Sequence, residues 1–296
     1  MNNLALRLKM AKQKGEATAK EFGVTSLPIN PFDIAKDRDI TVQAKENSEG
    51  GVSGMLLRYG DKFGIIYATH ISSIGFQHFS IAHELGHYFL DGHIDHVLPK
   101  DGCHVSLAGF VSEDPFEKEA DAFAAGLLMP EYLLRQAINN NPVGLKGIRA
   151  LAELCCTSLT ASAIRYAELT KEAIAVIVST DMKVDFCILS EAMKSLPQLT
   201  WLRKGTPVPK ETITAEFNNT ALRNMKSVPV EDYLDISVWF GGSCSEEAKE
   251  EVVSLGSYEK TLTVLACSSL SDGNYQDYEE IDEEDLIESW RPKFRK

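Results

Sequence analysis

The run FQHFSIAHELGHYFL, from Phe76 to Leu90, constrains this chain more than any other segment. Its apolar residues recur at helical spacing, it holds no proline, and Gly86 is its only interior glycine, so it reads as a helix. His83 and His87 then stand one turn apart on one face. Two imidazoles so placed reach one tetrahedral metal ion. Glu84 follows the first histidine and points beside the metal rather than at it, where a carboxylate can take a proton from a metal-bound water. Such a water has its pKa lowered from ~16 to about 7, so hydroxide becomes available near neutrality. The same five residues also fit an ordinary amphipathic helix whose histidines bind nothing.

A second helix separates these readings. FEKEADAFAAGLLM, from Phe116 to Met129, is stopped by Pro130, and its apolar texture is interrupted by Glu117 and Asp121 at i and i+4. A catalytic zinc site needs a third protein ligand and keeps the fourth position for water. Two histidines from one helix and a carboxylate from the other complete that set. Asp121, one turn beyond Glu117, can accept the distal N–H of a liganded histidine and fix its tautomer. Glu113 and Glu119 remain rival third ligands. Glu119 falls on the far side of the helix from Asp121 and reads as a surface residue; Glu113 precedes Pro115 and reads as loop. All seven histidines lie between His70 and His104. Of those outside the motif, His70, His78, His93, His96 and His104 read as surface or site-mouth residues. His78, on the motif's own helix, is the first candidate for touching substrate or stabilising an oxyanion.

The rest of the chain reads as α+β. Residues 1–23 form an amphipathic helix, Pro31 to Lys36 a short one, and Ile40 to Ala44, Val52 to Arg58 and Phe63 to Ala68 strands, the last two joined through a hairpin at Tyr59–Lys62. Asp91 to Pro115 reads as a loop. Helices follow at Glu131–Asn139, Leu145–Cys155 and Leu159–Leu169, the last two on a tight turn that resembles a helix-turn-helix. Beyond Lys171 the texture is mixed. Ala173–Val178, Asp185–Leu189, Leu234–Phe240 and Lys260–Ala266 read as strands, Ser190–Ser195 as a short helix, and Glu246–Val253 as helix or loop. Asp277 to Glu288 holds eight acidic and no basic residues and reads as a solvated arm.

Charge narrows the function classes. Thirty Lys and Arg against 43 Asp and Glu give a net charge of −13, which on average repels phosphate backbones. The second helix of the helix-turn-helix-like pair carries one arginine, Arg165, too few for a DNA reader. That segment reads instead as packing on the core or docking a protein. The six cysteines include no C-x-x-C pair and read as reduced thiols. No apolar run approaches membrane-spanning length and no leader is evident, so no membrane partner is expected and the location reads as cytoplasmic.

IAHELGHYFL followed some 30 residues later by EKEADAFAAGLLMP resembles the ImmA/IrrE metallopeptidases. The opening LPINPFDIA and the strand ending GIIYA are similar to that family's approach to the metal helix. The resemblance implies a zincin-like peptidase domain over 1–130, a helical segment over 131–171, a smaller α/β (GAF-like) regulatory domain over 172–290 and a tail over 291–296. It implies His83, His87 and Glu117 as ligands of Zn2+ (or Mn2+), Glu84 as general base and Asp121 as the polar residue behind a ligand. It implies an endopeptidase acting on a specific protein, usually an Xre-type helix-turn-helix repressor, so that cleavage derepresses stress-response or mobile-element genes. This chain departs from the family where Gly75-Phe76-Gln77-His78 stands in place of a frequent arginine, and in a slightly longer loop between His87 and Glu117. Two other readings stay open: a DNA-binding regulator, and a protein that holds a repressor on a structural metal site without cutting it.

Overall fold

A computed structural model describes residues 3–46, 51–98, 102–107, 114–220, 228–256 and 259–267. The chain divides into two compact units. The first comprises the described residues up to Leu134 together with Ala152–Ser158; the second comprises Arg135–Leu151 and the described residues from Leu159 onward. Mixed helices and two separate sheets make the fold α+β.

The first unit opens with α1 (Asn3–Glu21) and α2 (Pro31–Asp37). Asn30 Oδ1 accepts from the Phe32 N–H and Pro31 takes the first helical position, so α2 starts where sequence chemistry favours a start. Strands β1 (Thr41–Lys45), β2 (Val52–Tyr59) and β3 (Lys62–Ala68) follow, then α3 (Ile74–Phe89), capped by Ser73. Next come α4 (His93–Val97), β4 (Gly102–Leu107) and α5 (Pro115–Leu128), whose N-terminus is capped by Asp114. The four strands form one sheet in the order β1-β3-β2-β4, with β1 parallel to β3 and the other pairs antiparallel. The segment 91–115 is therefore not all loop. A five-residue helix and a six-residue strand are too short for their periodicity to stand out, and β4 is held by its pairing with β2, Leu56 opposite His104.

Helix α3 is buried from Ser80 to His87 and α5 from Glu119 to Leu128. Ile81, Leu85, Phe123 and Leu127 join Leu56 and Ile65 of the sheet in one core. Gly86 permits the two helices to meet: a Cβ there would lie 3.0 Å from the Ala120 Cα and 3.1 Å from its carbonyl oxygen. Glu117 and Asp121 flank that contact in sequence, so the crossing that Gly86 allows brings them to the histidines.

Helices α6 (Glu131–Asn139), α7 (Leu145–Cys155) and α8 (Leu159–Leu169) come next, and the division between the units falls within the first two. Arg165 on α8 is buried and paired with Glu168 at 2.8 Å, so it is not displayed for a nucleic acid. The second unit continues with β5 (Ile174–Thr180), β6 (Lys183–Leu189), α9 (Glu191–Lys194), α10 (Ile213–Asn219), β7 (Val230–Asp235), α11 (Ser237–Phe240), β8 (Glu247–Ser254) and β9 (Lys260–Cys267). Its five strands are antiparallel throughout, in the order β6-β5-β9-β8-β7. Two expectations are corrected. Residues 237–240 form a helical turn that follows Asp235, whose carboxylate accepts from the Ser237 N–H. Residues 247–254 form a strand although charge-rich, because buried Glu250 accepts from Ile213 N–H, the Thr214 hydroxyl and Trp239 Nε1–H. The acidic stretch 277–288 lies outside the described residues, as do Glu113 and the tail over 291–296. All six cysteines are free. Among the described residues no helix is long and apolar enough to cross a membrane.

Candidate metal centre

Four ionisable side chains, His83, Glu84, His87 and Asp121, are 4% exposed or less. Burying such groups is expensive unless something compensates, so their cluster is a candidate for chemistry. His83 and His87 come from α3, Glu117 and Asp121 from α5, and His104 from β4. His83 Nε2 and His87 Nε2 stand 3.2 Å apart. Glu117 reaches both, Oε2 lying 3.5 Å from His83 Nε2 and Oε1 3.2 Å from His87 Nε2. His104 Nε2 stands 2.9 Å from Glu117 Oε1. The donor atoms of these four residues all lie within 4.8 Å of one another.

That arrangement fits a metal ion. Tetrahedral bonds of ~2.1 Å imply donor–donor edges of about 3.4 Å, and the separations above bracket that length. Two nitrogens and a carboxylate facing one point also require a positive charge there. In the protein without metal, protons supply it. Burial alone would depress the His83 pKa, but the charge and hydrogen bond of Asp121, with help from Glu117, hold it up at about 10. Burial drives His87 the other way, to about 3, with the His83 charge adding to the effect. Burial opposes ionisation of Glu117, yet hydrogen bonds from His104, His83 and His87 keep its carboxyl far below the usual range.

Asp121 Oδ1 lies 2.7 Å from His83 Nδ1, so it fixes which ring nitrogen faces the cluster. Glu84 is not one of the four converging donors. Neither of its carboxylate oxygens has a hydrogen-bond partner among the described residues, though Ser106 lies near enough to favour the ionised form. Burial raises its pKa, the His83 and His104 charges opposing. Gly54 on β2 makes room for it, since a Cβ there would lie 2.7 Å from Glu84 Oε1. A small cleft beside His83 is walled by Phe76, Phe79, Ser53, Ser106 and Leu107.

The structure thus brings together His83, His87, Glu117 and Asp121, with Glu84 adjacent. It does not bring His78 to the donors. Five residues amount to about 500° of helix, which turns His78 roughly 140° off the His83 face, and its ring packs edge-on to Phe32. Glu119 is neither a surface residue nor one of the converging donors. It is buried, accepts from His93 Nε2 at 2.9 Å and forms an ion pair with Arg7. His104 is the donor that sequence reasoning passed over. Its signal was the alternation in CHVSL, which turns His104 and Ser106 inward while Cys103, Val105 and Leu107 are exposed.

Residues 35–154 match the peptidase family described as the IrrE N-terminal-like domain. Metallopeptidase ImmA of Bacillus subtilis (strain 168) is 30% identical over 131 residues, which span 44% of this chain and 69% of that protein. A solved structure of a Mycobacterium tuberculosis transcriptional regulator aligns at a TM-score of 0.56 with 15% identity, covering 87% of this chain and 76% of that one. That likeness is one of fold.

Proposed function

The chain belongs to the ImmA/IrrE metallopeptidase family, and from that premise we propose that it is a cytoplasmic zinc-dependent endopeptidase that cuts an Xre-type helix-turn-helix repressor. The observation that carries the catalytic part is the pairing of a converged donor set with a buried carboxylate, Glu84, that has no hydrogen-bond partner within normal bonding geometry among the described residues. His83, His87 and Glu117 would hold the ion, with His104 beside them. A bound Zn2+ would supply a water acidified to a pKa of about 7 and a Lewis acid for the peptide carbonyl.

The chain's own residues supply the rest. Glu84 takes a proton from the attacking water on one of its carboxylate oxygens and passes it to the departing amine. Its burial favours the second half of that task, because a carboxyl with a raised pKa holds the proton between the two steps. Asp121 keeps His83 in one tautomer. His104 Nε2, when not bound to the ion, is placed to donate to a developing oxyanion. β4 is the outer strand of its sheet among the described residues, so its free row of backbone groups can pair with an extended peptide. The choice of repressor follows from the family resemblance, and a net charge of −13 favours approach to a basic partner at low salt. The second unit is read as the docking or regulatory part.

One observation favours a second reading, a repressor-binding protein with a structural metal. Four protein donors converge, and closed four-donor sites are the structural kind. A single experiment separates the two. The full chain is loaded with Zn2+ and incubated with Xre-type repressors from the same genome, and products are identified by mass. The peptidase reading expects one defined cut, abolished by a chelator and by Glu84→Gln. Retention of an uncut repressor by wild type, with no gain of cleavage in His104→Ala, would establish the structural-metal reading instead.

A further inference from the structure

His87 turns Nε2 toward the donor cluster, so its Nδ1 faces the other way. Nδ1 meets another histidine there: His93 Nδ1 lies 3.2 Å from His87 Nδ1. His93 Nε2 lies 2.9 Å from Glu119 Oε2, and Glu119 Oε1 is ion-paired with the Arg7 guanidinium. Four elements contribute one residue each, α3, α4, α5 and α1. His93 is 1% exposed and Glu119 7%. Phe116 closes the outer side, 4.9 Å edge-on from His93 and 5.2 Å from the Arg7 guanidinium carbon.

The chemistry allows one arrangement of protons along this row when a metal is held. A ligating Nε2 must present its lone pair, so the His87 proton sits on Nδ1. His93 Nδ1 must then accept, which puts the His93 proton on Nε2, where Glu119 accepts it. Arg7, ion-paired with Glu119, holds that carboxylate in place. The other ligand helix position is served by a single carboxylate, Asp121 behind His83; His87 is served by a longer chain ending in the same kind of group.

We propose that His93 and Glu119, anchored by Arg7, are positioning residues that lock the His87 ring and its tautomer for metal binding, a role that rests on the metallopeptidase reading. Groups of this kind change metal affinity by ~10–100-fold when removed. They act in series, so cutting the row at one point removes what the others contribute.

The test uses the full chain and Zn2+ in competition with a chromophoric chelator. His93→Ala and Glu119→Gln are each expected to weaken Zn2+ binding by ~10–100-fold, and the double variant to be no weaker than His93→Ala alone. Arg7→Lys should hold affinity better than Arg7→Ala. The Co2+-loaded protein should show an altered visible spectrum in the same variants. Glu119→Gln keeps the shape of the side chain and settles the matter if His93→Ala does not fold. Wild-type affinity in both single variants, with only the melting temperature lowered, would show that these side chains merely fill space, and additive losses in the double variant would equally overturn the relay. Wild-type protein that binds no Zn2+ would remove the metallopeptidase reading and the relay together; tight wild-type binding with unchanged variants would remove only the relay.

Discussion

Gly54→Ala is the substitution whose effect on activity follows most directly from the geometry. An added Cβ would stand 2.7 Å from Glu84 Oε1, 3.2 Å from Cγ and 3.4 Å from Cδ. Ordinary contact begins near 3.4 Å, so the carboxylate must retreat by about 0.7 Å. It is the end of a flexible side chain, and it yields before the β2 backbone does. A catalytic group misplaced by about 1 Å loses roughly 10²-fold in rate. The expectation is therefore a fall in kcat of about 30- to 100-fold, equivalent to ~2–2.7 kcal/mol in the barrier. Crowding costs about 1–3 kcal/mol of stability, and the stiffer unfolded chain returns ~0.4–1. The variant should thus fold, and it should bind Zn2+ as wild type does, because Gly54 meets Glu84 and none of the four donors.

The assay measures single-turnover cleavage of the proposed repressor substrate beside chelator competition for Zn2+ and a thermal melt. Gly64→Ala, in the same sheet, is the control: its Cβ would meet nothing nearer than Thr41 O at 3.5 Å, and its rate should stay within a few-fold of wild type. A Gly54→Ala enzyme with full kcat would refute the assignment of Glu84 as a positioned base. Loss of Zn2+ in that variant would refute the claim that base and donors are held separately.

Three further outcomes follow from the same site. Gly86→Ala presses on the Ala120 backbone at 3.0–3.1 Å; it should destabilise the protein by ~1–3 kcal/mol in denaturant titration and weaken Zn2+ as α5 carries Glu117 away. Asp121→Asn removes the charge behind His83 and should weaken Zn2+ about 10–100-fold in the chelator assay. The third concerns pH: the metal-free protein holds His83 with a pKa of about 10 against an ordinary 6.5, so its stabilising charge is fully present below pH 6.5 and is lost as pH rises toward 10. Zn2+ must displace that proton, so binding near pH 7.5 should release about one proton and tighten with rising pH; calorimetry in buffers of different ionisation heat would show no buffer dependence if His83 were already neutral.

The part of this site that was legible in the sequence is the part that local geometry dictates. His83, Glu84 and His87 occupy one turn of one helix, and Glu117 and Asp121 one turn of another. Periodicity and side-chain chemistry therefore suffice to single them out. His104, His93 and Glu119 needed tertiary information. His104 reaches the cluster only through the register of β4 on β2, Leu56 opposite His104. Glu119 was assigned to the surface by a helical wheel, which assumes that a helix has a wet side. α5 has none between Glu119 and Leu128, because α1 packs on it where Gly126 meets Lys12 and brings Arg7 to Glu119. In the second unit the stretch Glu246–Val253 reads as helix or loop because its charges hide the strand, and the Glu250 carboxylate is satisfied inside by Thr214 and Trp239.

Two glycines show how the donors and the base come to be placed independently. Gly86 sits on the face of α3 that meets α5, and the absent side chain sets how near Glu117 and Asp121 come to the histidines. Gly54 sits across from Glu84 on β2, and the absent side chain sets how far the carboxylate extends. The residues between them, His83 and Glu84, are adjacent in sequence and point about 100° apart on the helix. One therefore faces the carboxylate helix and the other the sheet. A single helical turn can in this way face two elements, the helix that carries Glu117 and Asp121 on one side and strand β2 on the other. Neither glycine can gain a methyl group without disturbing its own half of the site, and the two disturbances should differ: metal affinity for Gly86, turnover for Gly54.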